Sequence, residues 1–185
     1  MIAAQLFTLA GVALGAIASY LVGSLNEQKR HRREVEKDWE ERKYDNFVSF
    51  VDDIKTMSHI CRRMAAALGL HDRMPKGDEL DNAEGSLMIT EANQRRTVSI
   101  ERLRLLSDTE TISAAYRLNE AVWVLNWIVQ GKIPNVGREH WERAAGDFID
   151  AFDAFHRCAR TELGVPGGHL PRPNPPLPSF DALES

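Results

Sequence analysis

Histidine and cysteine side chains are the first candidates for chemistry, because they recur in two similar pairs. One residue separates His59 from Cys61, and one residue separates His156 from Cys158. Together the four side chains have the composition of a His2Cys2 zinc site. However, residues two apart on an α-helix point about 200° from one another, whereas helical chelation needs a spacing of three or four. We therefore expect a buried thiol and a partly exposed histidine, and no metal or cofactor.

A carboxylate and a histidine offer a second possibility in the same part of the chain. Asp153 precedes His156 by three residues, a spacing that resembles half of a di-iron carboxylate motif in a helical bundle. Such a centre needs a second pair of this kind and two further inward carboxylates, and Glu-x-x-His does not occur in the sequence. Asp147, Asp150 and Asp153 are instead expected on the solvated face of a helix.

The remaining classes of catalytic and binding sites lack their sequence signatures. Glycine-rich loops that bind phosphates are absent, and no serine or cysteine stands in a hydrolase motif. A net charge of −4 argues against a general nucleic-acid binder. Two cysteines are too few for a secreted disulfide scaffold and favour a reducing compartment. We predict no catalytic residue, small-molecule substrate or nucleic-acid partner, and an enzyme assembled from distant positions is the least favoured alternative.

An uncharged segment near the N-terminus predicts a membrane anchor. Residues 6 to 25 contain no charged side chain, and about 20 helical residues span about 30 Å, the thickness of the hydrocarbon core. A basic cluster follows, consisting of Lys29, Arg30, Arg32 and Arg33. By the positive-inside rule, residues 1–25 form a single-pass transmembrane helix of the inner (plasma) membrane, with the N-terminus outside and the remaining chain cytoplasmic. The alternative is a signal peptide cleaved after Ala18, which the missing basic residues before the segment oppose.

The same segment carries small residues at every fourth position, namely Gly11, Gly15, Ser19 and Gly23. In lipid, such a stripe lets helix backbones approach closely and favours self-association. The alternative is that small residues are simply common in anchors of this kind. The lipid bilayer is thus one expected partner, and a second copy or another protein is the other. The basic cluster is expected to contact anionic lipid headgroups.

Residues 26–43 predict a charged helical stalk, with Arg30 and Glu34 paired four residues apart. Residues 44–164 predict an antiparallel bundle of about four helices. Its first helix has a seam with alternating steps of four and three, formed by Phe47, Val51, Ile54, Ser58, Cys61, Ala65 and Leu68. A second row, Phe50, Met57 and Met64, favours packing inside a bundle over a simple coiled coil.

Three further helices follow a break at residues 70–78. The first covers about residues 80–106, although the run at 97–100 leaves a short strand open as an alternative. Its apolar positions are Leu80, Leu87, Met88, Val98, Leu103 and Leu106. Ser107 and Glu110 predict a capping box that opens the next helix, which ends at Gly131.

Within that third helix, residues 121–129 are apolar except for Asn126, which predicts a central buried position. A membrane-facing or partner-facing patch at Trp123 and Trp127 is the alternative. The last helix covers about residues 138–163 and ends before Gly164. Its predicted buried face consists of Trp141, Ala145, Phe148, Phe152, Phe155 and Ala159.

Residues 165–185 form a proline-rich tail, which we predict to be extended or disordered. Arg172, Pro175 and Pro178 have the RxxPxxP spacing of a polyproline ligand. Asn174 occupies a position that such ligands usually fill with an apolar residue, so a solubilising tail is favoured.

Residues 102–121, RLRLLSDTETISAAYRLNEA, resemble a helix, cap, helix arrangement of small single-pass, membrane-anchored helical proteins of actinomycetes. The resemblance implies neither an activity nor functional residues. We therefore expect an all-α, membrane-anchored cytoplasmic protein that acts by protein–protein interaction or self-assembly, as an anchor, adaptor or scaffold. The alternative is a membrane-perturbing effector that oligomerises through its glycine-rich transmembrane helix.

Overall fold

A computed structural model describes the backbone of residues 2–72, 74–75 and 77–168, and the side chains of these residues from Glu27 onward except 28, 29 and 36. Within this part the chain is all-α and contains no strand. Its four helices are α1 (Ile2–Ala67), α2 (Asn82–Leu106), α3 (Thr109–Val129) and α4 (Arg138–Glu162). The predicted all-α class is confirmed. The alternative of a strand at 97–100 is wrong, because α2 continues through these residues.

The chain divides into two compact units, Met1–Arg42 and Lys43–Ser185, and α1 contributes to both. In the first unit every described side chain is exposed, and the predicted pair of Arg30 and Glu34 forms with an Nε to Oε1 distance of 3.0 Å. Among the described residues, no helix is both long enough and apolar enough to cross a bilayer. The side chains of the predicted membrane segment, residues 1–25, lie outside the described part.

In the second unit, α1 and α2 run antiparallel to one another. Asp53 near the middle of this part of α1 meets Arg95 of α2, with 3.3 Å between Oδ1 and Nε. Toward the end of α1, the carbonyl oxygen of Arg63 accepts a hydrogen bond of 3.3 Å from the backbone N–H of Leu80, just before α2 begins. Residues early in α2 therefore contact the end of α1, and later residues of α2 contact earlier residues of α1.

The last helix returns alongside α1 in the opposite direction. At the start of α4, Arg138 binds the carboxylate of Asp72, which follows α1, at 2.6 Å. At its end, Glu162 binds the Nζ atom of Lys43 at 2.8 Å. Because α2, α3 and α4 are joined by short connections and α3 packs along α4, the four helices form an antiparallel bundle.

The core of the bundle contains side chains from all four helices. Phe155 of α4 meets the rings of Phe47 and Phe50 of α1, at centroid distances of 6.0 and 5.2 Å and in edge-on geometry. Most of the predicted seam of α1 is buried. The prediction is wrong for Leu68, which is exposed because α1 ends at Ala67 and the chain turns at Gly69 with a φ of 68°.

Other predicted core positions also need correction. Leu87 and Val98 of α2 are exposed, because the buried face of this helix includes Gly85, Arg96 and Ser99, which an apolar pattern does not count. Val51 and Ala145 are half-buried. Buried neighbours that the pattern missed are Ile60, Ile89 and Ala144.

The helix ends follow their capping residues. The carboxylate of Asp108 accepts a hydrogen bond of 2.7 Å from the backbone N–H of Thr111, so Asp108 is the N-cap of α3. The predicted capping box of Ser107 and Glu110 is wrong by one residue, because the N–H of Ser107 still closes α2 by donating to Leu103. The predicted end of α3 before Gly131 is confirmed, since the φ of this glycine is 68°.

Candidate interaction surface

The outer face of α3 exposes three aromatic side chains at helical spacing, Tyr116, Trp123 and Trp127, which we call the aromatic strip. Tyr116 is 40% exposed and Trp127 is 43% exposed, while Trp123 is half-buried. The two indole rings lie 6.4 Å apart with an interplanar angle of 32°. The two tryptophan rings therefore form one continuous aromatic surface. Tyr116 lies two helical turns closer to the start of α3.

The strip is exposed because only one face of α3 can enter the core. That face holds residues spaced by three and four, which are Ala114, Ala115, Leu118, Val122, Leu125 and Val129. The aromatic residues lie on the other side of the helix. The prediction of a central buried position for residues 121–129 is consequently wrong for Trp127.

Exposed aromatic side chains of this kind have the chemistry of a binding surface. Tryptophan and tyrosine offer large apolar areas at a low cost in conformational entropy, and they are enriched among the residues that dominate binding energy. Each also carries one hydrogen-bond donor, the indole N–H or the phenol O–H. The strip is thus suited to an apolar or proline-containing segment with free carbonyl groups.

Arg104 of α2 interacts electrostatically with Tyr116 of the strip. The pKa of its guanidinium is raised, first by the hydrogen bond to Glu101, then by the charge of Glu101, and to a smaller extent by Tyr116. The guanidinium of Arg104 is therefore fully ionised. It adds donors that a backbone carbonyl or a carboxylate can accept.

A polar network lies between α1 and α2. The carboxylate of Asp53 is buried and accepts hydrogen bonds from the hydroxyl of Ser99 at 2.9 Å and from Nε of Arg95 at 3.3 Å. A buried carboxylate without these donors would be strongly destabilising. The network therefore fixes how α1 and α2 pack.

A second polar contact joins α2 to α3. Arg96 is only 8% exposed, and its guanidinium donates to the side-chain oxygens of Asn93, Asn119 and Thr97. Burial lowers the pKa of Arg96, an effect that the charge of Asp53 partly opposes. These partners accept hydrogen bonds but supply no nucleophile beside a base. We interpret the contact as structural.

Sequence patterns missed both polar contacts. A charged residue in a helix is normally assigned to the solvated face, and Asn119 lies 23 residues from Arg96 in the sequence. The only available signal was that the spacing of apolar residues in α2 is irregular. That irregularity weakens the helical pattern of α2 but does not identify the hydrogen-bond partners.

The predicted basic cluster is described in part, and the side chains of the small-residue stripe are not. Arg30, Arg32 and Arg33 are exposed on α1, and the side chain of Lys29 lies outside the described part. The side chains of the stripe, Gly11, Gly15, Ser19 and Gly23, lie outside it as well. Membrane contact and self-association through these residues therefore stay predictions.

The histidine and cysteine pairs are spread over different environments. Cys61 is buried, and burial raises the pKa of its thiol to about 12. His59 is exposed, and Cys158 is half-buried. The imidazole of His156 packs on Phe152, with 4.6 Å between ring centroids. Over the described residues, no group of three or more histidine, cysteine, aspartate or glutamate side chains is arranged to hold a metal ion.

The three aspartates of α4 differ in exposure. Asp147 and Asp150 are exposed as predicted, whereas Asp153 is half-buried.

Comparisons of the chain with protein-family models, with curated proteins and with solved structures find no match. The aromatic strip and the polar contacts are therefore interpreted from their own geometry and chemistry. The resemblance of residues 102–121 to membrane-anchored helical proteins of actinomycetes stays a prediction.

Proposed function

We propose that this chain is a membrane-anchored helical-bundle protein that acts by protein–protein interaction or self-assembly at the cytoplasmic face of the plasma membrane. Its role would be that of an anchor, adaptor or scaffold. The observation that carries the proposal is the aromatic strip, which exposes tryptophan and tyrosine side chains in a row on the outer face of α3. Contiguous exposed apolar surface in a folded domain is typical of interaction sites.

The anchor supports the cellular location in this proposal. The uncharged residues 6–25 are long enough to span a bilayer, and the basic cluster that follows them favours a cytoplasmic bundle. Helix α1 begins at Ile2 and continues to Ala67, so one helix includes both the predicted anchor and the first helix of the bundle. A partner bound to the strip would thus be held near the membrane.

The strength of such a contact can be bounded from its residue types. Truncating a buried tryptophan at the centre of an interface typically costs about 2 kcal/mol or more, which weakens binding about 30-fold. Loss of Trp127 alone is therefore expected to abolish the capture of a partner of moderate affinity.

Affinity purification tests the interaction. The tagged full chain is expressed at native level, crosslinked mildly, purified from membranes and analysed by mass spectrometry. We expect a specific partner or a self-oligomer with the wild-type chain. Trp127→Ala should abolish capture of a partner, whereas a self-oligomer formed through the anchor should persist. Leu105→Ala is the matched control, since Leu105 is an exposed apolar residue of α2 outside the strip. Recovery of neither a partner nor an oligomer by the wild-type chain would refute the proposed function.

Membrane extraction tests the anchor separately. We expect the wild-type chain to resist extraction by alkaline carbonate and a chain lacking residues 2–25 to be released. Release of the wild-type chain by carbonate would contradict the anchored location.

The small-residue stripe favours one second candidate, the membrane-perturbing effector. Overexpression of such a protein would depolarise cells, and Gly15→Leu would abolish the effect because it blocks close helix contact. Harmless overexpression would exclude this candidate and leave the adaptor proposal unaffected.

A further inference from the structure

The proline-rich tail contains a segment whose chemistry matches the aromatic strip. Residues 173–178, PNPPLP, contain four prolines. Proline fixes φ near −65° and favours the polyproline II helix, which has no internal hydrogen bonds and leaves its carbonyl groups free. Such segments bind in aromatic grooves, where proline rings pack on tryptophan and tyrosine. We call residues 173–178 the proline segment.

The described part of the tail keeps the chain close to the start of α3. Oε1 of Glu162, the last residue of α4, accepts a hydrogen bond of 3.2 Å from the backbone N–H of Asp108. The guanidinium of Arg160 then contacts the carbonyl oxygen of Pro166 at 3.4 Å. The chain therefore continues from the end of the bundle at which α3 begins.

The proline segment has the length needed to reach the strip. At about 3.1 Å per residue, Pro173 and Pro178 lie about 16 and 31 Å beyond Gly168 in an extended chain. At about 1.5 Å per residue, Tyr116 and Trp127 lie about 12 and 28 Å from Asp108 along α3. The range of distances that the proline segment can cover thus overlaps most of the range over which the strip extends along α3.

The spacing within each partner is also compatible. Prolines three residues apart, such as Pro173 and Pro176, recur about every 9 Å in a polyproline II helix. Tyr116 and Trp123, seven residues apart on α3, are separated by about 10 Å along the helix axis. Consecutive proline rings can therefore meet the tyrosine and the tryptophan pair of the strip.

We propose that the proline segment binds intramolecularly to the aromatic strip, so that the tail covers the interaction surface until a partner displaces it. The inference rests on the proposed function, in which the strip is the interaction surface. A weak contact suffices, because two groups joined within one chain by a short connection meet at an effective concentration of about 1 mM. The tail then sets a threshold for partner binding.

Acrylamide quenching of tryptophan fluorescence tests the proposal in the full chain, reconstituted in nanodiscs of phosphatidylcholine and phosphatidylglycerol. Trp39→Phe removes the exposed tryptophan of the first unit, and Trp141 is 1% exposed, so quenching reports on the strip. In this background the prolines at 173, 175, 176 and 178 are replaced by alanine. We expect the quenching constant to rise about twofold when the tail releases a half-occupied strip. The control Pro171→Ala, a proline of the tail outside the proline segment, should leave quenching unchanged.

The outcomes separate the two proposals. Equal quenching with and without the four prolines overturns tail docking, and so does a difference that disappears on dilution, because it would show docking between two chains. The four-alanine variant is also expected to capture more partner in the affinity purification. Failure of capture by every variant would overturn the proposed function, while the quenching result would still decide whether the tail covers the strip.

Discussion

Arg96 is a cation held almost entirely by neutral oxygen atoms. Arg96→Ala removes a donor from the buried contact between α2 and α3 and leaves the side-chain oxygens of Asn93 and Asn119 without that partner. Since polar groups left unsatisfied in a partly buried site are costly, we expect the free energy of unfolding to fall by about 1–2 kcal/mol. Urea unfolding of the full chain, followed by far-UV circular dichroism, measures the change.

Arg104→Ala is the control for this prediction. Its guanidinium and the carboxylate of its partner Glu101 are both more than half exposed, so their ion pair is screened by solvent. We expect little or no change in the free energy of unfolding. Similar losses for Arg96→Ala and Arg104→Ala would contradict the structural importance of the buried contact.

Cys61 predicts a decline in stability at alkaline pH. Burial raises the pKa of its thiol from 9.0 to about 12. Below pH 9 the thiol is neutral in both states, whereas between pH 9 and 12 the unfolded chain loses a proton that the folded chain retains. Stability therefore falls with rising pH in this window, by at most about 1.4 kcal/mol per pH unit.

The comparison with Cys61→Ala isolates this thiol from other groups that titrate at high pH. We expect the stability advantage of the wild-type chain over the variant to shrink by about 1.6 kcal/mol between pH 9 and 10.5. Urea unfolding at several pH values measures it. A constant advantage over this range would show that Cys61 ionises equally in both states.

Two glycines within helices separate the effect of close helix packing from the low helix propensity of glycine. A Cβ atom at Gly85 of α2 would collide with the side chain of Met64 of α1, whereas a Cβ at Gly146 of α4 meets nothing within 4 Å. Alanine normally stabilises a helix interior relative to glycine by about 0.5–1 kcal/mol. We expect Gly146→Ala to gain about this amount and Gly85→Ala to lose about 1–2 kcal/mol.

Thermal unfolding of the two glycine variants gives the sign of each change. Met64→Ala removes the colliding atoms, so in that background Gly85→Ala should no longer destabilise the bundle. If Gly85→Ala stabilises the wild-type chain as much as Gly146→Ala does, α1 and α2 do not approach as closely as this packing requires.

Elements were predictable where local chemistry determines them. Gly131 and Gly164 mark the ends of α3 and α4, because a positive φ is easily adopted only by glycine. The start of α3 was misplaced because Ser107 and Asp108 are both good N-cap residues, and only the continuation of α2 decides between them.

Contacts between elements were less predictable than their boundaries. On an apolar helix such as α3, the pattern does not decide which side enters the core. The pairing of Trp123 with Trp127 was recognisable from the spacing, but Tyr116 joins the strip only because α2 and α4 cover the other sides. Such choices depend on volumes and partners distant in the sequence.

At the scale of the whole molecule, the proposed role requires one unit to anchor the chain and the other to bind the partner. The second unit carries the aromatic strip, and the first includes the uncharged residues that we propose as the anchor. Interaction through the strip and self-association through the anchor then use different surfaces. Variants in one unit should leave the activity of the other intact.

Self-association of the anchor gives the test of this division. Gly15→Leu places a large side chain in the small-residue stripe and is expected to weaken chain association by about 1–2 kcal/mol, roughly tenfold. Energy transfer between full chains labelled with donor or acceptor dyes in lipid vesicles measures association. Ala13→Leu is the matched control, since two residues of helix place it about 200° from Gly15, away from the stripe. An equal loss for both variants would assign the effect to bulk in the anchor, and no loss for Gly15→Leu would remove the stripe as an interface. Capture of a partner by the strip should persist in the Gly15→Leu chain if the two surfaces act separately.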